Sequence, residues 1–496
     1  MKAIFYTLLL FSLSIHSNEK PNIILFLVDD MGLMDTSVPF LTDGKGQAVK
    51  HPLNSYYKTP GMERLTQSGL IMSQFYANSV CSPTRATLMT GQSSARHRIT
   101  QFIKPESKNS GSFGPENWKW EGLSNKDITL PSILSKGGYR TIHCGKAHFA
   151  PIGHEGENPQ KIGFDINIAG CAFGAPGSYL GMENFGQKNP KRRKRAVPGL
   201  DQYHGKDIFL TEALTQEVKK AISKSVEDKK PFFAYMSHYA VHSPFEADSR
   251  FSKNYKDSGK AKSAQNYATL IEGMDKSLND ILNHLDTLNI AENTLVIFIG
   301  DNGSDAPLGK THTVASSAPL RGKKGTHYEG GMRVPFIASW ARNSKNALQN
   351  SFKISNTVVD QNFAKVSDIF PTILDAAGIN KPDSHTIDGT SLRKLLSGDA
   401  NSHPQQFLMH FPHSHRSSYF TVFRDGDYKL VFHYKKEGKE KYELFNLVKD
   451  PYEENNLASS DSETLKAMLS KMRSGLEKCN AQYPHKGDKK TLIKPE

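Results

Sequence analysis

The sequence predicts an α/β fold: a large, mostly parallel mixed sheet sandwiched by helices, with a smaller C-terminal α+β subdomain containing an antiparallel sheet. Two observations carry this reading. Short apolar runs rich in branched residues alternate with helical patterns over most of the chain, and after about residue 395 the pattern changes to consecutive short strand-like runs.

Residues 23–28, 139–143, 232–238 and 295–300 are the apolar runs, each bounded by turn residues and read as a buried strand. Between them, residues 129–136 begin at the capping residue Thr129 and stop at Gly137-Gly138, a helix start and stop. Leu270, Met274, Leu278, Ile281, Leu285 and Leu288 keep three- and four-residue spacing, which gives a helix one apolar face for the sheet. Residues 419–423, 428–433 and 442–445 are short runs separated by Arg-Asp-Gly-Asp and Lys-Lys-Glu-Gly-Lys turns, as in an antiparallel sheet, and a helix over 462–479 covers it. The division expected is therefore 18–395 for the large domain and 396–496 for the small one.

The first 17 residues place Lys2 before an apolar run ending near Ile15, with Ser17 following, the layout of a secretory signal peptide. That run is shorter than the ~20 apolar residues that cross a bilayer. The expectation is an exported protein, periplasmic or secreted, without a stable membrane anchor. The 496 residues carry 63 Lys and Arg against 50 Asp and Glu, a formal charge of +13 that favours encounter with polyanions. No zinc-finger or basic-zipper pattern accompanies the charge, so nucleic acid is not an expected partner. The densest basic run, Lys191 to Arg195, sits in a Gly- and Pro-rich stretch between Gly170 and Pro198. It reads as an exposed insertion, a solvated loop or a polyanion contact. The four cysteines, Cys81, Cys144, Cys171 and Cys479, have neither the spacing of a zinc site nor the density of a disulfide framework.

Chemistry gathers at the strand ends. Asp29 and Asp30 follow the first apolar run; Asp301 and Asn302 follow the fourth. Ligands in open α/β sheets bind beyond the carboxyl ends of the strands, so these four oxygen donors can meet at one rim. Three carboxylates and an amide suit a hard cation, Ca2+ or Mg2+, rather than zinc. Lys146 and His148 follow the second run, and His242 follows the third. A metal, a lysine and two histidines suit a tetrahedral oxyanion whose leaving group needs a proton. His143 and His238 lie inside the apolar runs and read as structural. Residues 320–331 form a basic, Gly-rich loop that includes Lys324. In Cys81-Ser82-Pro83-Thr84-Arg85, Pro83 suits the first turn of a helix, which places Cys81 at an anion-favouring N-terminus.

The stretch Cys81 to Arg85 matches the C-x-P-x-R signature of the formylglycine-dependent sulfatases, and the chain resembles that family within the alkaline-phosphatase-like superfamily. The likeness spans almost the whole chain: 21–30, 81–91, 137–148, 242–245, 300–303, 320–335, Phe445-Asn446-Leu447, and 450–457. The resemblance implies that Cys81 is converted to formylglycine by a formylglycine-generating or anaerobic sulfatase-maturing enzyme, and that its hydrate, a gem-diol, is the nucleophile. It implies one Ca2+ held by Asp29, Asp30, Asp301, Asn302 and residue 81. Arg85 would hold the diol; Lys146 and His148 would flank diol and sulfate; His242 and Lys324 would face the bridging oxygen. His148 is the candidate base and His242 the candidate acid, with the assignment among His148, His242 and Lys324 left open. The implied substrate is a sulfated glycan, with a lean toward a marine-algal polymer. Sugar contacts are expected from Lys191 to Arg195, from residues 170–179 and 410–416, and from His97, His204 and His312. The competing readings are a phosphonate or phosphodiester hydrolase of the same superfamily and a non-catalytic glycan-binding protein.

Overall fold

The computed structural model describes residues 20–43, 45–309, 314–399 and 403–496; residues 1–17, read as a signal peptide, and His312 lie outside them. An eight-stranded sheet forms the centre, in the order Ile166–Ile168, Arg140–Gly145, Phe232–Ser237, Asn22–Val28, Thr294–Gly300, Phe336–Trp340, Leu70–Met72, Val358–Val359. Its pairs are parallel except at Phe336–Trp340, which runs against both neighbours. The four strands read from the sequence are its middle, shifted by a residue or two at their ends.

Alternation explains why these strands are apolar throughout. In Asn22–Val28, Ile24, Phe26 and Val28 point into one core, while Ile23, Leu25 and Leu27 point into the other. Helices Leu210–Glu227 and Lys262–Thr287 supply the first core, with Leu270, Met274, Leu278, Ile281 and Leu285 turned toward the sheet as their spacing predicts. Helices Cys81–Thr90, Leu130–Lys136 and Ile369–Ala377 supply the second. Thr129 caps its helix by accepting from the Ser132 N–H, as the sequence indicates.

The C-terminal sheet has four antiparallel strands, Gln406–Phe411, Phe420–Asp425, Tyr428–His433 and Tyr442–Asn446. Helix Ser462–Lys478 covers one face through Met468, Met472 and Leu476. The other face, with Phe407, Met409, Phe411, Phe420, Val422 and Val431, packs against Tyr76 and Val80. It therefore buttresses the residue that precedes Cys81. The first of these strands carries His410, the start of the 410–416 segment expected to include sugar contacts. Its ring is instead buried, 2.7 Å from Thr421 Oγ1 and 2.6 Å from the Gln482 carbonyl. His413 is likewise buried, with Nε2 2.7 Å from Thr100 Oγ1.

A second correction concerns residues 170–198. They do not form a wholly exposed insertion: Ser178, Tyr179 and Phe185 are fully buried, and exposure is concentrated at Met182, over residues 187–194 and at Pro198. Tyr179 stacks on Phe209, which ties the segment to the helical layer.

Lys429 ties the C-terminal sheet to the short helix Glu329–Met332 through a buried ion triad, its ammonium 3.0 Å from Glu329 Oε1 and 2.7 Å from Glu453 Oε1. Removing one partner of such a group strands the others without compensation, at a cost of about 3–5 kcal/mol. Lys429→Ala is expected to lower the unfolding free energy by about that amount in urea titration; an unchanged midpoint would show that the two carboxylates need no cation.

Candidate active site

The carboxyl ends of the central strands open onto one cleft. The Asp29 N–H donates to the Ala240 carbonyl at 3.0 Å and that of Asp301 to the Val28 carbonyl at 3.0 Å, fixing the three strand ends together. Asp29, Asp30 and Asp301 are fully buried, and each offers a carboxylate oxygen within 4.8 Å of the others. Asp30 has φ of +60°, a left-handed conformation uncommon for a residue with a side chain, and its N–H donates to Asp301 Oδ1 at 3.0 Å. Asn302 Nδ2 donates to Asp30 Oδ1 at 3.0 Å, which leaves Asn302 Oδ1 buried without a hydrogen-bond partner. Crowded carboxylates plus an orphaned amide oxygen form a donor set that a hard divalent cation satisfies. The residues present fit such an ion.

Three cations surround this set. The Lys146 ammonium sits 2.8 and 2.7 Å from the two oxygens of Asp29. Gly145 before it has φ of +101°, and a side chain there would strike the Ser237 carbonyl at 1.9 Å, so only glycine lets the strand end carry Lys146 to Asp29. Lys324 Nζ lies 2.6 Å from Asp30 Oδ1 and 2.7 Å from Oδ2. Read singly, the loop lysines favour the surface; the structure instead buries Lys324, while Lys323 is only half-buried. Arg85 is fully buried, giving Nε and Nη2 to Asp301 Oδ2 at 3.1 and 2.8 Å, and Nη1 to Ser237 Oγ at 2.6 Å and the Lys146 carbonyl at 2.9 Å. Its bonds hold the frame around residue 81.

Burial and the neighbouring Asp29 push Asp301 up to about 7. Burial opposes ionisation of Asp30 too, but Lys324, His242 and Lys146 hold its carboxyl well below the usual range. Burial works against the charged Lys324, yet Asp30 raises it above an ordinary lysine.

Cys81 is the first residue of helix Cys81–Thr90, after the extended Val80, and faces His148. His148 Nδ1 is 3.4 Å from Cys81 Sγ and 3.3 Å from Ser82 Oγ, while Nε2 is 2.6 Å from the Ile103 carbonyl. A carbonyl only accepts, so Nε2 carries the proton and the lone pair of Nδ1 faces residue 81. Burial, then Lys146, keeps this imidazole neutral, well below its ordinary pKa. Burial pushes the Cys81 thiol up, against the pull of Lys146 and Lys324. His242 is oriented by its own loop: Nδ1 is 2.8 Å from the Ser243 carbonyl, and Nε2 lies 3.6 Å from Asp30 Oδ2. Tyr179 holds that loop by placing its hydroxyl proton between the carbonyls of Tyr239 and His242, 2.8 and 2.7 Å away. Burial lowers His242 to about 4, with Asp30 pulling the other way.

Cys81, His148, His242 and Lys324 line a cleft of about 660 Å3. Its walls bring in Arg195, Gly174, Ala175, His415 and Arg416 from segments expected to touch sugar, and Lys104, Glu106 and Asp305, which no motif marks. Arg195 pairs with Glu106, and Arg416 meets Asp305 at 2.5 Å. His97 and His204 lie elsewhere: His97 is buried with Nε2 3.0 Å from Thr87 Oγ1, and His204 sits 3.6 Å from Asp201. His143 and His238 are fully buried in strand and strand end, as their apolar settings indicate. The four cysteines are free thiols in the structure.

The sulfatase family model matches residues 21–379, and a model described as N-sulphoglucosamine sulphohydrolase, C-terminal, matches 323–482. A sulfatase of Formosa agariphila is 28% identical over 94% of this chain and 90% of its own length. The N-acetylgalactosamine-6-sulfatase of Mus musculus is 30% identical over 78% of this chain and 68% of its own. Among solved structures, Ps i-CgsB in complex with k-i-k-neocarrahexaose superposes with a TM-score of 0.72 at 22% identity, covering 96% of this chain and 95% of that one. The phosphonate monoester hydrolase of Agrobacterium radiobacter shares the fold at a TM-score of 0.61 and 18% identity, over 92% of this chain and 96% of that one. The chain belongs to the sulfatase family, and the buried carboxylates, Cys81 and the histidines facing them lie within the part of it that the sulfatase model covers.

Proposed function

We propose that this sulfatase hydrolyses sulfate esters of a sulfated carbohydrate, with Cys81 matured to formylglycine and one Ca2+ held by Asp29, Asp30, Asp301, Asn302 and residue 81. The observation that carries the proposal is the convergence of three buried carboxylates, two lysines and two oriented imidazoles on a cysteine at a helix N-terminus. When present, formylglycine supplies a hydrated aldehyde as nucleophile and the cation supplies Lewis-acid polarisation of the sulfate oxygens.

The protein's own residues do the rest. The dipole at the start of Cys81–Thr90, together with Lys146 and Lys324, favours an anionic sulfate group beside residue 81. His148 presents a bare nitrogen to residue 81 and serves as the base there. Arg85 neutralises Asp301 and holds it in place. His242, its Nδ1 proton committed to a carbonyl, has Nε2 free to take a proton beside a bound anion and pass it to the leaving oxygen. General acid catalysis contributes about 10^2–10^4-fold. His242→Ala is therefore expected to lower kcat by roughly that factor on sugar sulfates, and far less on aryl sulfates whose phenolate leaves unprotonated. Equal losses on both substrates would remove His242 as the acid.

The carbohydrate reading draws on the amino-sugar sulfatase and the neocarrahexaose-bound structure among the similar proteins, and the latter favours an algal polymer. Sulfate release from a panel of sulfated oligosaccharides tests it: release from galactose- or hexosamine-based oligomers supports it, and activity confined to simple aryl esters overturns it. A phosphodiester hydrolase, favoured by the shared fold with the phosphonate hydrolase, predicts the reverse preference between aryl phosphodiester and aryl sulfate. We also infer export to the periplasm or medium and maturation by a dedicated enzyme. Among the described residues, no helix is long and apolar enough to cross a membrane.

A further inference from the structure

Behind the loop that carries Lys324, a second group of ligating side chains lies outside the cleft. Alternation along Tyr428–His433 turns Lys429, Val431 and His433 toward the large domain. There His433 Nε2 is 2.6 Å from Glu443 Oε1, and His327 Nε2 is 3.2 Å from the same oxygen. The two imidazoles stand nearly perpendicular, with centroids 4.8 Å apart. Among the described residues, only this group and the catalytic aspartates gather three such ligand atoms within 4.8 Å of one another.

His327 is the informative member. Its Nδ1 lies 3.0 Å from Ser417 Oγ, the kind of partner that orients a ligating imidazole. Its Nε2 is buried, and its 3.2 Å approach to Glu443 Oε1 lacks the alignment of a hydrogen bond, so the nitrogen points at an oxygen that His433 already engages. The nearest buried cation, Lys429, is already taken up by Glu329 and Glu453. Lys436 stands 4.0 Å from Glu443 Oε1 on a half-exposed side chain free to move away. Tyr328 donates to Glu443 Oε2 at 3.0 Å, which holds the other oxygen toward the histidines.

We propose that His327, His433 and Glu443 form a second metal site, which takes Zn2+ and fastens the 320–331 loop to the C-terminal sheet. Two imidazoles and one carboxylate are a zinc ligand set with a fourth position left to water. The oxygen-only set at the strand ends suits calcium, so the two sites take different ions. Neither the residues nor the ion take part in the sulfate chemistry, and the proposal stands independently of that chemistry.

Co2+ is the probe, added to the full-length protein with Ca2+ in excess to occupy the aspartates. One equivalent is expected to give the intense visible bands of nitrogen-ligated, four-coordinate cobalt, displaced by Zn2+, and Zn2+ is expected to raise the unfolding midpoint. Glu443→Gln and His433→Asn, checked for native circular dichroism, should each weaken binding by about 100-fold. Ser417→Ala, which leaves all three ligands in place, should weaken it by about tenfold. A wild-type protein that shows no bands would make the cluster a hydrogen-bonded His–Glu–His contact and overturn the site. Bands that persist undiminished in the variants would put the metal elsewhere and overturn it equally.

Discussion

Cys81→Ala is expected to lower turnover of any sulfate ester by about 10^4-fold or more, with the fold intact, if residue 81 is the proposed nucleophile. Loss of a catalytic nucleophile is the most damaging single change an enzyme of this kind can suffer, because residual rate then rests on binding and electrostatics alone. The structural cost is small. Cys81 is buried, but the hydrogen-bonding contact of its sulfur is the weak 3.4 Å one with His148, and the helix start is set by the backbone of Val80 and by packing of the C-terminal sheet. The unfolding free energy should change by about 1 kcal/mol. Initial rates on an aryl sulfate, paired with urea titration, check both halves. Retained activity would remove residue 81 from the chemistry, and a collapse of stability would make the rate uninterpretable as catalysis.

Asp301→Asn is the second large effect. Asp301 Oδ2 receives two N–H groups of Arg85, and Oδ1 receives the Asp30 N–H, so both oxygens act as acceptors. An amide keeps the shape but turns one acceptor into a donor facing other donors, and it removes a charge that Arg85 needs. It also removes a carboxylate from the proposed cation site. A bound metal supplies several kcal/mol to the transition state, so activity should fall by roughly 10^3-fold. Calcium content by elemental mass spectrometry should fall with it; full calcium with full activity would take Asp301 out of the ligand set.

The strands that carry the site are legible because each is buried on both faces, as Asn22–Val28 is, and so reads as an unbroken apolar run. The Asp pairs stand out because they end such runs. Strand order and direction are not legible in this way. Phe336–Trp340 is reversed among parallel neighbours, and nothing in its own residues records that. Gln406–Phe411 is obscured by His410, whose burial depends on Thr421 and on Gln482 more than 70 residues away. Arg85 and Lys324 take their significance from the family resemblance, whereas Lys146 is marked by its place just after a strand end. Composition alone leaves Lys324 on the surface, because its partner Asp30 lies 294 residues distant. Ser237, which accepts from Arg85 and donates to the Lys146 carbonyl, carries no mark at all in the sequence. The same holds for Glu443, whose partners come from two other segments. Long-range polar pairing leaves no periodicity to read.

The central claim is that residue 81 is made into a nucleophile that the genetic code does not supply. It is tested most directly by mass spectrometry of the peptide containing Cys81, from protein co-expressed with a sulfatase-maturing enzyme. Conversion to formylglycine gives a peptide about 18 Da lighter than the thiol form, with an aldehyde in place of the side-chain thiol. An unmodified cysteine, under conditions that convert a control sulfatase, would contradict it.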